Sequence, residues 1–144
     1  MTHAFRSGLT ALALAASLGT AQAAGETVTY KATLNGSSEV PATTTKGFGE
    51  VTATFDAASK KLTWKGSYSG LTGPVTAAHF HGPAKAGENA GVLIPVTVTE
   101  SPFSGSATLD DAKAADLTAG KLYFNVHTSE NPKGEIRGQV EKAP

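Results

Sequence analysis

Three histidines carry the most direct sign of chemistry in this chain. His79 and His81 sit in TAAHFHGPA, and His127 sits in KLYFNVHTSENPKGEIRGQV. The fourth histidine, His3, lies in a segment that reads as a removable leader. Neutral imidazole nitrogens ligate Cu, Zn and Ni. A His-x-His pair on one strand with a third His on another is a donor set for such an ion. The chain has no cysteine, so no thiolate biases the site toward softer metals. A set made only of His, with a position left open, suits Cu(II), with catalytic-type Zn(II) less favoured.

The spacing says where these rings point. Side chains alternate along a strand. His79 and His81 therefore share one face, opposite Ala78 and Phe80. In the second segment Leu122, Phe124 and Val126 form the apolar face, and Tyr123, Asn125 and His127 form the other. All three histidines fall on non-core faces and can converge if their strands are neighbours. The alternative is three polar strand positions with no joint task.

Other residues near the histidines are weaker candidates. Asn125, Glu135 and Arg137 are placed to support the ligands from outside. Glu135 and Arg137 are two apart, so on a strand they share a face and read first as a surface ion pair worth under about 1 kcal/mol. The Gly-rich run after His81 is a lid or a plain surface loop. It is not a phosphate loop, because GxxxxGK[ST] is missing. No nucleophile elbow marks a Ser/His/Asp triad, and a catalytic carboxylate pair has no support. The residues therefore do not establish an enzyme.

The elements that must position these side chains are mostly strands. Period-two patterns occupy residues 27–34, 49–56, 61–68, 77–81, 92–99, 103–109, 122–127 and 135–140. Pro95 makes the 92–99 segment an edge strand or a bulged one. Residues 110–117 predict the single helix, with Asp110 as N-cap and Gly120 past its end. Residues 35–48 and 82–91 are the longest loops. The expected fold is all-β: an antiparallel Greek-key β-sandwich or barrel of about seven or eight strands with one short helix.

Residues 1–23 predict a signal peptide. Arg6 gives the positive start, residues 9–18 the apolar run, and Ala21-Gln22-Ala23 the cleavage pattern. Residues 24–144 then form one domain, secreted or periplasmic in a bacterial cell. Of 12 basic and 12 acidic residues the leader takes Arg6, leaving the mature chain slightly acidic. That offers no electrostatic footprint for nucleic acid. No segment is long and apolar enough to span a membrane. Without cysteine, stability rests on the core or on a metal ion. No protein partner is indicated.

Several motifs together resemble the CHRD domain family. They are Leu34-Asn35-Gly36 with Glu39-Val40-Pro41, Gly49, Leu71 with His79-Phe80-His81-Gly82-Pro83-Ala84, Tyr123-Phe124-Asn125-Val126-His127-Thr128, and Asn131-Pro132-Lys133-Gly134-Glu135-Ile136-Arg137-Gly138. The resemblance spans about residues 28–142 and implies an all-β domain whose biochemical role is poorly defined. The chain is also similar to Cu,Zn superoxide dismutase, which sets an HxH pair and a later copper His on a β-sandwich with an Arg beyond. His79, His81, His127 and Arg137 take the corresponding places. A bridging His, a zinc subsite and a disulfide are missing. The expectation is a copper-type site used in metal handling or redox protection. A non-catalytic interaction module, or a mononuclear copper enzyme, are the alternatives.

Overall fold

Alternation along the chain becomes alternation across a sheet. The computed structural model describes residues 25–98 and 100–144; the expected leader, residues 1–23, lies outside them. Nine strands form: β1 (Thr27–Asn35), β2 (Phe48–Asp56), β3 (Lys61–Ser69), β4 (Val75–His81), β5 (Val92–Val96), β6 (Phe103–Thr108), β7 (Tyr123–Thr128), β8 (Ile136–Gln139) and β9 (Glu141–Lys142). One helix, α1 (Asp111–Thr118), lies between β6 and β7. All pairings are antiparallel. The order is β5-β4-β7-β8-β1-β2-β3-β6, a sheet curled into a nearly closed barrel. Hairpins join β1, β2 and β3 in turn, β4 to β5 and β7 to β8, while the connections β3 to β4, β5 to β6 and β6 to β7 jump between non-neighbouring strands in the Greek-key manner. No helix among the described residues is long and apolar enough to cross a membrane.

The inward positions are the expected ones. Tyr30, Ala32 and Leu34 of β1, Val51, Ala53 and Phe55 of β2, and Leu62 and Trp64 of β3 are buried. They meet Ala78 and Phe80 of β4 and Phe124 and Val126 of β7. Phe80 is central, edge-on to Trp64 at 5.2 Å and to Phe124 at 4.8 Å. Burying each such ring contributes about 1.5–3 kcal/mol relative to exposure.

Asp110 caps α1 as expected, its carboxylate accepting from the Lys113 N–H at 2.8 Å. Gly120, at φ +70°, supplies the left-handed residue beyond the last turn. Leu117 anchors the helix to the barrel and is fully buried.

Two strand boundaries differ from the pattern. Pro95 does lie on an edge strand, but β5 ends at Val96 rather than Thr99. The expected strand 135–140 is β8, Ile136–Gln139, and a separate two-residue strand, β9, follows it. β8 lies between β7 and β1, Val140 turns its N–H to Leu122 O, and β9 pairs with β1 alone. Gly138 permits the close passage, since a Cβ there would lie 2.1 Å from Thr33 O.

Candidate metal centre

Register brings the three histidines together. β4 and β7 are neighbours although β5, β6 and α1 intervene in the chain. Their pairing sets His79 opposite Asn125, His81 opposite Tyr123 and Ala77 opposite His127. His79 and His81 thus lie on the same outward face as Tyr123, Asn125 and His127, while Phe80 and Phe124 fill the core.

One ring nitrogen from each histidine lies within 4.8 Å of the others. His79 Nδ1 is 3.1 Å from His127 Nε2. An ion about 2.0–2.1 Å from both would see them at roughly 100°. Two nitrogens on one ion stand at most about 4.1 Å apart, so closing the set takes ring movements under about 1 Å. The group is positioned to hold a metal ion.

Two of the rings are oriented from behind. His81 Nδ1 meets Ala90 O at 3.0 Å, and His127 Nδ1 meets Pro132 O at 2.9 Å. A carbonyl only accepts, so Nδ1 carries the proton in both rings and each Nε2 lone pair points into the site. His81 Nε2 is buried with no hydrogen-bond partner. His127 Nε2 accepts a hydrogen bond from His79 Nδ1–H, a bond that an ion would replace.

Burial also lowers the pKa of His79, with the neighbouring His127 acting in the same direction. His81 is lowered chiefly by burial, against its bond to Ala90 and with help from His79, His127 and Arg137. Both rings are therefore neutral, and able to ligate, at neutral pH.

The outward face is not a solvent surface, which corrects the simple alternation argument. His81 is 8% exposed, and Asn125 and Arg137 are each 2% exposed. Two loops cover them. Asn125 Nδ2 donates to Glu39 Oε1 at 2.6 Å. In the 82–91 loop Ala90 N–H donates to Tyr123 Oη, whose hydroxyl also reaches Ala90 O. Asn89 Nδ2 donates to Val40 O, joining the two loops. The segment after His81 is thus latched over the site and supplies the carbonyl that orients His81.

Glu135 and Arg137 are not a surface ion pair. Both are buried, and they bond to different groups. Arg137 Nη1 donates to Asn89 Oδ1 at 2.8 Å and Nη2 to Glu88 O. Its guanidinium carbon lies 3.6 Å from the centre of the Tyr123 ring, which also stacks on His81 at 4.8 Å. Glu135 accepts from Thr45 Oγ1, Thr72 N–H, Thr72 Oγ1 and Thr128 Oγ1. Burial by itself raises its pKa, but these bonds outweigh that and hold the carboxyl below the usual range. They tie β7 and two loops together at the edge of the site.

Glu39 is the functional candidate that alternation could not find. It lies in the 36–46 loop, only 7% exposed, and burial pushes its pKa up to about 7 against the bond from Asn125 and the charge of Arg137. Its one signal in the sequence is its place in the Glu39-Val40-Pro41 motif. Gly134, at φ +129°, makes room for this contact, because a Cβ there would lie 2.6 Å from the Asn125 side chain and 2.7 Å from Glu39 Oε1.

The CHRD family model matches residues 30–140, which include all three histidines, Glu39, Asn125, Glu135 and Arg137. The chain belongs to the CHRD domain family. No curated protein matches this CHRD domain, and no solved structure matches it. The similarity to Cu,Zn superoxide dismutase accordingly rests on the HxH arrangement and not on a structural match.

Proposed function

We propose that this is a secreted CHRD domain that binds a divalent transition metal through His79, His81 and His127, with copper favoured, for metal handling or redox protection. The observation that supports it is the convergence of three imidazole nitrogens within 4.8 Å. Two of these rings are also held in the ligating tautomer by backbone carbonyls. Oriented outer partners of this kind typically govern metal affinity. Copper is favoured because nitrogen sites bind Cu(II) more tightly than Zn(II). Asn125, Glu135 and Arg137 act from outside the ligand set by holding strands and loops in place.

Competition titration of the mature protein tests this reading. Cu(II) is expected to outcompete Zn(II), with one equivalent bound and nitrogen ligands seen by electron paramagnetic resonance. Equal binding by a His79→Ala/His127→Ala double variant would remove these ligands from the assignment.

A second reading is a metal-free interaction module. The His79 Nδ1 to His127 Nε2 hydrogen bond favours it, because it satisfies both nitrogens without an ion. Absence of stoichiometric metal in protein recovered from its native compartment, together with no measurable copper affinity, would select that reading.

A further inference from the structure

We propose that the cavity beside the histidine centre binds a small organic cation, an alkylammonium group paired with the Glu39 carboxylate and resting its carbon body on Val40, Pro41 and Pro132. The cavity is an open cleft of about 450 Å³ between residues 39–44 and the turn at 130–134. That is the volume of a small-molecule site. Its walls are apolar at Val40, Pro41, Ala42 and Pro132, and Glu39 is its buried charged group.

The case for a cation comes from what Glu39 lacks. A buried carboxylate is costly unless it is paired. Glu39 takes one neutral hydrogen bond, from Asn125, and among the described residues no Lys, Arg or His nitrogen lies within 4.0 Å of it. Arg137 on β8 acts on it only through space. Asn125 Oδ1, in the carboxamide bonded to Glu39, is a buried acceptor with no donor. Asn125 engages only Oε1 of Glu39, which leaves the second carboxylate oxygen for an N–H-rich cation. Glu130 and Lys133 also line the cavity, so carboxylates outnumber ammonium groups on its wall. An anion would meet the charge of Glu39 directly, and a neutral solute would leave it unpaired. A metal ion would find too few oxygen ligands there.

Titration of ¹⁵N-labelled protein in EDTA with n-butylammonium chloride tests this, with sodium butyrate and n-butanol as matched probes. At pH 8 butylammonium is expected to give saturable shifts at Val40, Thr43, Lys133 and Gly134. The His127 ring should report it too, because its Nδ1–H donates to Pro132 O. Glu39→Gln should weaken binding by at least about tenfold, the worth of one charge-assisted bond. In the unaltered protein the affinity should fall between pH 8 and pH 6 as Glu39 takes up a proton, so the test survives even if the variant fails to fold. Equal shifts from butyrate or butanol, no saturation, or an affinity that ignores both Glu39→Gln and pH would overturn the assignment. The titration uses no metal, so its outcome is separate from that of the histidine site.

Discussion

Replacing Glu135 by Gln should unfold this domain more readily than any isosteric surface change, because its carboxylate gathers four donors in a fully buried place. Thr45 Oγ1 and Thr72 N–H approach Oε1 at 2.7 and 2.8 Å. Thr72 Oγ1 and Thr128 Oγ1 approach Oε2 at 2.9 and 2.6 Å. In Gln the amide oxygen keeps the first pair, since the Thr72 N–H cannot turn away. The NH₂ group then faces two hydroxyls that already accept from Asn131, through its backbone N–H to Thr128 and its side chain to Thr72. Two charge-assisted bonds are lost and the other two are weakened. At about 1.5–3 kcal/mol for each of the two lost bonds, the cost is about 3–6 kcal/mol. For a domain of this size that lowers Tm by roughly 12–24 °C. Urea unfolding followed by circular dichroism measures it. The pKa of Glu135 is depressed from 4.5 in the folded chain, so its contribution is complete above that value and is lost as pH falls through the lower folded value. The gap between the two proteins should be widest at pH 7, should begin to narrow below about pH 4.5 and should keep narrowing as pH falls through the depressed folded value. A cost under about 1 kcal/mol at pH 7, or a gap that does not narrow on acidification, would refute the reasoning.

Three other outcomes are expected. Asn89→Ala, which frees the loop from Val40 and removes an acceptor of Arg137, should cut copper affinity about 10–100-fold while the ligands remain. Competition titration reads this, and an unchanged affinity would show that the latch does not orient His81. Gly138→Ala should cost about 3 kcal/mol or more in denaturant unfolding, because its Cβ would strike Thr33 O and force β8 away from β1. Copper affinity should decline on acidification, with the proton competition at His79 and His81 displaced below the ordinary histidine range near 6.5. Burial holds the His79 and His81 pKa values under 6.5, so protons compete with the ion only at lower pH. A steep decline already at pH 7.5 would contradict that ordering.

Local periodicity determined much of this molecule. The alternation of Phe80 against His79 and His81, and of Phe124 against Asn125 and His127, already set which side chains face the core and which face away. That follows because neighbouring side chains on a strand must point to opposite sides. Asp110 and Gly120 likewise marked the two ends of the helix, one through its capping carboxylate and the other through its left-handed backbone. Other features were decided only in three dimensions, because they depend on contacts between distant segments. β4 meets β7 across two strands and a helix, and no local pattern specifies that pairing. The outward face is buried because residues 36–46 and 82–91 fold over it, held by single bonds such as Asn89 to Val40 and Asn125 to Glu39. Glu135 and Arg137, two residues apart, enter different networks because β8 begins between Glu135 and Arg137 and their partners lie on different loops. The pattern of residues specified which imidazoles could meet. The tertiary fold brought them within reach of one ion, turned two of their rings, and enclosed a carboxylate beside them whose importance no alternation could reveal.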